Sequence, residues 1–311
     1  MTIKKCRYVP HGVPRTQPAT FHGTCHELRG SDSRRASLPG EAQRGCAVAL
    51  LLASASGLGW SQSEPATPTR FEGAAGLTLR HGPAFPGSSD VGFHLTPAGF
   101  LRYGRFSLTG SGGFTTRAAD DVERGLAAEL ARRGKLRVSL GLRFDPGRSD
   151  SDSPQLAGMG DVRSTVRARW SARWDPNPAW RMSAGISNDL LGHGGGIMGD
   201  LSAVRRWTWG RGESFSLGAT VSAGDRSFMQ SWHGVSPAQS AKSGLPSFAP
   251  SGGLRDLQLS AIWRTEFQAW GQPFAAYLGA GHTVLLGPAA DSPLTRQREY
   301  SSASGAVVWR F

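Results

Sequence analysis

The chain has 311 residues, 42 of them Gly and only 3 Cys, and a formal net charge of +12. No apolar run reaches the ~18–20 residues a membrane-crossing helix needs, and Cys6, Cys25 and Cys46 form neither a metal-binding spacing nor an even disulfide set. A helical membrane protein and a cysteine-held metal are therefore excluded. The charge alone would suggest a nucleic-acid partner, so its distribution along the chain has to be read first.

Residues 1–45 are rich in Arg, Pro, His and Ser and carry no apolar period. They read as a disordered presequence or as a start site placed too early. Residues 46–63 follow as an uncharged apolar core, CAVALLLASASGL at 46–58, and a cleavage region with small residues around Trp60; Arg44 precedes them. That is the pattern of a secretory signal peptide; the competing reading is a buried core helix. Cys46 stands before the apolar core, which argues against lipidation. Cleavage near residues 61–63 would remove all three Cys. From Gln62 on, 27 Lys+Arg face 20 Asp+Glu. Much of the basic excess is thus discarded, and no nucleic-acid partner is expected.

The remainder, residues 64–311, alternates. In 163–174 Arg163, Thr165, Arg167, Arg169, Ser171 and Arg173 share one parity, and Val166, Ala168, Trp170, Ala172 and Trp174 the other. Successive strand side chains point to opposite faces, so period two is a strand signal. Twelve strands are predicted, at about 70–81, 91–103, 105–116, 122–132, 135–146, 160–175, 179–192, 197–209, 213–228, 254–268, 272–286 and 300–311. The segment 122–132 is open to a helical reading, because Leu126 and Leu130 lie four apart.

The predicted connections alternate as well. Those at 133–134, 176–178, 210–212 and 269–271 are short, and those at 82–90, 147–159, 229–253 and 287–299 are long. Short turns at one end and long loops at the other describe an all-β antiparallel transmembrane β-barrel of the outer membrane, of about 12 strands (10–14), after its N-terminal signal peptide. Lipid cannot satisfy a free strand edge, so such a sheet must close. A soluble sandwich alternates too. Here, however, Trp170, Trp174, Trp180, Trp207, Trp209, Trp263 and Trp270 lie near strand ends, where interfacial girdles form.

The last predicted strand ends Val307-Val308-Trp309-Arg310-Phe311. Trp309 and a terminal Phe311 on one face resemble the signal read by the barrel assembly machinery. Two further segments, Ser153–Val162 and Phe228–Ser240, with Ser243-Gly244-Leu245, Gly253–Asp256, Leu286-Gly287 and Asp291-Ser292-Pro293, resemble the MipA/OmpV family (the MltA-interacting protein family) from about residue 70 to the end. Its most specific part is Gly234, Val235, Ser236, Gln239, Ser240, Ser243 and Gly244, joined by Asp291, Ser292 and Pro293. Trp232-His233 departs from the two aromatics expected before Gly234. The resemblance implies an outer-membrane barrel surrounded by outer-membrane lipid. It also implies a scaffold joining a lytic transglycosylase to a murein synthase; other members are discussed as adhesins, porin-like proteins and antibiotic-susceptibility factors. A scaffold for murein enzymes needs a periplasmic face, and the only parts offered there are short turns, the termini and residues 62–70.

Catalytic signals are sparse. From Gln62 on, neither an H-x-x-x-H nor a G-x-S-x-G motif occurs, and no cofactor, metal or catalytic residue is expected. One alternative is an outer-membrane lipid hydrolase in which His282, on the parity of Phe274, Leu278 and Val284, meets Ser302 or Ser304 of the next strand. Another is a narrow channel. Arg137, Arg143, Arg167, Arg169, Arg173, Arg181 and Arg264 share the inward parity and would either attract anions or simply fill the interior, paired to Asp145, Asp189 and Glu266. Loop 229–253 is long enough to close the mouth, or to offer a binding surface.

Overall fold

The computed structural model describes residues 71–110, 125–210 and 212–311. The presequence and signal segments expected at 1–45 and 46–63 lie outside these residues, as do parts of the predicted strands 105–116 and 122–132. Twelve strands form one closed antiparallel barrel, each paired with its neighbours in sequence and β1 with β12. They are β1 (Phe71–Pro83), β2 (Val91–Tyr103), β3 (Phe106–Thr109), β4 (Gly125–Arg133), β5 (Leu136–Asp145), β6 (Thr165–Asn177), β7 (Trp180–Asp189), β8 (Ile197–Trp209), β9 (Glu213–Gly224), β10 (Gly253–Ala269), β11 (Gln272–Leu285) and β12 (Glu299–Arg310).

The alternation sets which way each side chain points. On β6 Arg167 and Ser171 are buried inward while Trp170 and Trp174 stand exposed outward. Leu136, Leu142 and Phe144 of β5, and Leu217 of β9, are likewise exposed on the outer wall, where lipid rather than water covers them. The segment around Leu126 and Leu130 is strand, not helix: Leu126 pairs with Leu142 and Ala128 with Leu140. A four-residue spacing fits both periods, and pairing decides it. A bulge between Glu129 and Ala131 shifts the parity, so that Ala131 lies opposite the outward Val138.

At the short-turn end the connections are two or three residues long. The turn between β10 and β11 holds Trp270 at φ 50° and Gly271 at φ 70°, the pair of left-handed residues that a tight hairpin requires. Trp270 and Phe274 meet edge to face, Phe267 stacks on Phe274, and Trp309 lies against Phe311. These form an aromatic girdle at that end. Phe311 also completes the closure, exchanging backbone hydrogen bonds with Gly73 at 2.9 and 3.0 Å.

The interior differs from a uniformly polar lumen. On β1, β2 and β10–β12 the inward side chains include Ala74, Ala98, Phe100, Ile262, Ala275, Tyr277, Ala306 and Val308, buried in one apolar cluster. The opposite wall, β5–β8, carries most of the inward arginines, with Arg264 of β10 and Arg310 of β12 nearer the short-turn end. The sequence here, Ala275-Ala276-Tyr277-Leu278 and Ala306-Val307-Val308, is apolar on both faces, so strict alternation does not mark which side looks inward.

Candidate functional site

The long loops meet over the end of the barrel opposite the aromatic girdle. The predicted strand 213–228 stops at Gly224, because Asp225 caps a helix: its carboxylate accepts the Phe228 N–H at 2.8 Å. Helix α1 (Arg226–His233) follows, then α2 (Pro237–Ser243), so the predicted loop 229–253 contains ordered helix. Ser236 and Gln239 form a reciprocal capping box, Gln239 N–H to Ser236 Oγ at 3.2 Å and Ser236 N–H to Gln239 Oε1 at 2.8 Å. The motif Ser-Pro-x-Gln is therefore a helix start. Gly244 ends α2 at φ 74°, and its N–H donates to the Ser240 carbonyl at 2.9 Å. Ser243 Oγ donates to the Gln239 carbonyl at 2.8 Å.

These residues also tie α1 and α2 to the other loops. Gln239 Nε2 donates to the Met159 carbonyl at 2.6 Å. Val235, 1% exposed, bridges Phe248 by two backbone hydrogen bonds of 2.8 Å. It packs with Phe85, Leu156, Met159 and Leu294 into one buried core. Four separate loops supply that core: 84–90, 146–164, 225–252 and 286–298. Ser292, which follows the single-turn helix α3 (Gly287–Ala290), donates from its hydroxyl to the His233 carbonyl at 2.6 Å. Asp291 instead pairs with Arg298 at 3.2 Å on the exposed surface, and Pro293 is half-buried in the turn between them. The structure thus gathers the expected loop residues into a single cap, with Asp291 on its rim. Trp309 and Phe311 lie at the far end of the barrel.

The cap is electrostatically anchored. Arg148, 6% exposed, donates to the Trp232 carbonyl at 2.9 Å and lies over the Phe85 ring. Burial pushes its guanidinium down to about 10, with Asp152 opposing, so it stays charged at neutral pH. Burial, reinforced by the charges of Arg255 and Arg148, pushes His233 down to about 3; it is neutral. Arg167 joins the wall to the cap. It holds Asp145 at 2.8 Å, donates to the Gly195 carbonyl at 2.7 Å, and stacks over Phe228 of α1.

Of the expected inward arginines, Arg167, Arg169, Arg173, Arg181 and Arg264 have carboxylate partners. Arg169 grips Asp200 through two bonds of 2.7 and 2.9 Å. Arg173 and Arg181 share Asp175 at 3.3 and 3.0 Å, and Arg264 and Arg310 share Glu266. Asp189 is not an arginine partner as expected. Its carboxylate instead accepts the backbone N–H of Gly195 at 2.9 Å and of Leu191 at 3.0 Å, and bonds Thr165. Ser302 and Ser304 are not the neighbours of His282 either. They have the inward parity of Ala306 and Val308, whereas register places Ser301 opposite His282. Among the described residues no cluster of three or more His, Cys, Asp or Glu could hold a metal ion.

Comparison with known proteins follows the same geometry. Residues 75–311 match the family described as MltA-interacting protein MipA. The chain belongs to the MipA family. Its relatives include the Escherichia coli (strain K12) protein named "Putative outer membrane protein YiaT", 26% identical over 175 residues. That match covers 55% of this chain and 66% of the relative, a little under two thirds of its length. Among solved structures, an outer-membrane channel from Pseudomonas putida F1 is similar at 11% identity and a TM-score of 0.41, covering 80% of this chain and 100% of that one. OmpT of Vibrio cholerae is similar at 7% identity and a TM-score of 0.36, covering 78% and 97%. This MipA-family chain is an outer-membrane β-barrel, and no enzyme family is indicated by these matches.

Proposed function

We propose that this MipA-family barrel is a mouth-capped anchor in the outer membrane, working by holding protein partners rather than by passing solutes. The observation that carries this reading is the shared cap core of Phe85, Leu156, Met159, Val235 and Leu294. A loop plug built from four connections, with its own buried core, resists opening in a way that a mobile loop does not. The carboxylates facing Arg167, Arg169, Arg173, Arg181 and Arg264 support the same reading, since they offset part of the positive charge that an ion-selective ring needs.

The family description names an interaction with MltA, which suggests a lytic transglycosylase as one partner and a murein synthase as a second. In outer-membrane barrels the short-turn end faces the periplasm, where murein lies. The contact surface is then the turns at 104–105, 134–135, 178–179, 210–212 and 270–271, with the fully projecting Trp270 (90% exposed) as the apolar anchor. Cross-linking from these turns in living cells, followed by mass spectrometry, tests the proposal. Recovery of a murein enzyme above a control barrel, weakened by Trp270→Ser, is the expected result. Recovery of the assembly machinery alone would overturn it.

A further inference from the structure

On the outer wall of β11 and β12 three side chains of complementary chemistry lie together. His282 Nδ1 is 3.1 Å from Ser301 Oγ. Its other ring nitrogen, Nε2, is 3.7 Å from Glu299 Oε2. Strand geometry accounts for the grouping. His282 and Ser301 are directly paired, Val284 and Glu299 are the next outward pair, and residues two apart share a face. Ser301 and Glu299 are exposed, and His282 half-exposed. A hydroxyl beside an imidazole that is oriented by a carboxylate is the arrangement that activates a serine nucleophile.

The surroundings indicate the substrate. His282 is eight residues above Phe274 of the aromatic girdle. At about 3.3 Å per residue and a tilt of about 40°, that is roughly 20 Å along the barrel axis. The apolar band of such barrels is about 25 Å tall, so the three side chains lie near its outer edge, at the depth of lipid ester groups. Below Ser301 on the same strand come Ala303 and Gly305, which offer almost no side chain. Gly305 is flanked on either side by Leu278 of β11 and Leu79 of β1, both exposed to lipid. Ser301 thus stands at the head of a shallow trough, walled by Leu278 and Leu79, that runs toward the membrane centre.

We propose that Ser301, His282 and Glu299 form an acyl-ester hydrolase site on the lipid-facing wall, acting on the carboxylic ester of a membrane lipid whose acyl chain lies along the Ala303–Gly305 trough. Ser301 Oγ attacks the ester carbonyl carbon while His282 Nδ1 takes its proton. The tetrahedral adduct collapses by breaking the ester C–O bond, and His282 returns the proton to the departing alcohol. Water then attacks the acyl-serine with His282 again as base, releasing the fatty acid and restoring Ser301. Glu299 accepts the Nε2–H and stabilises the imidazolium formed in each half. The site is independent of the mouth cap and of any partner at the short turns.

Phospholipid and lipid A share this ester chemistry and are tested as separate arms. The folded protein is placed in vesicles of labelled phosphatidylethanolamine, or with purified lipopolysaccharide, and released fatty acid is measured by mass spectrometry. A long-chain fluorophosphonate reports directly on an activated serine. Expected results are acid release in at least one arm, fluorophosphonate carried on Ser301, and losses of about 100-fold or more in Ser301→Ala and His282→Ala. Ser302→Ala, on the inward face, stays within about twofold of the wild type by the same reasoning. Gly305→Leu, which fills the trough, shifts preference toward short acyl chains. The proposal is overturned if folded wild-type protein neither releases acid in either arm nor takes up the probe, or if Ser301→Ala turns over as fast as wild type.

Discussion

The cap offers the sharpest energetic prediction. Leu156 is completely buried, 0% exposed, among Phe85, Met159, Val235 and Leu294. Leu156→Ala removes three carbons from that core, at about 0.8 kcal/mol each in transfer energy. The cavity left behind brings the cost to about 3 kcal/mol, within the measured range for such truncations. The cap core is small and separate from the barrel wall, so the loss falls on local opening of the cap rather than on unfolding of the sheet. At about 1.4 kcal/mol per factor of ten, opening becomes roughly 150-fold more frequent. Hydrogen exchange at Val235 and Phe248, whose amides bond each other's carbonyls, reads this directly. Protection there should fall by about two orders of magnitude while amides of β10–β12 stay unchanged. Unchanged protection at Val235, or an equal loss throughout the barrel, would refute a four-loop cap with its own core.

Further predictions concern charge and closure. His233 binds protons less readily in the folded cap, where burial holds it at about 3, than in the open cap, near the ordinary 6.5. The open form therefore binds more protons between those values, and cap stability falls as pH drops through that window and is full above it. The protection factor at Val235, taken relative to the intrinsic exchange rate at each pH, should fall from pH 6.5 downward, and His233→Asn should flatten that slope. Asp145→Ala leaves Arg167, 2% exposed, without its carboxylate, which should cost about 3 kcal/mol in urea unfolding because a buried charge remains uncompensated. Gly76→Ala would place a Cβ 2.0 Å from the Val307 carbonyl oxygen. The β1–β12 seam should then fail to close, visible as loss of heat-modifiable gel mobility.

Much of this was legible from alternation alone. The bounds of β2 and β8 follow directly from the pattern, and the outward Trp170 and Trp174 against inward Arg167 and Ser171 needed only parity. The misses have physical causes. Strand β9 was drawn through Phe228 because a helix of two turns is too short for its 3.6-residue period to stand out. The local signals were nevertheless present in Asp225 as a cap and in Ser236-Pro237-Ala238-Gln239 as a capping box. The apolar inner wall around Tyr277 and Val308 was hidden because Ala275–Leu278 of β11 and Ala306–Val308 of β12 are apolar on both faces. Asp189 was assigned to an arginine because charge is visible in sequence and loop geometry is not; its carboxylate binds the turn at Gly195. Ser301 was missed although its parity with Val307 and Trp309 marked it as outward, since the 13-residue connection at 286–298 conceals which serine faces His282.

The central claim is that the barrel mouth is closed by a cap and that the protein acts as an anchor, not a pore. Single-channel recording in planar bilayers tests it most directly. The purified wild-type barrel should give a silent trace across a range of voltages. Stepwise, reproducible openings from the wild-type protein, with the cap intact by exchange at Val235, would contradict the account and make the arginine-bearing wall of β5–β8 a conduction path.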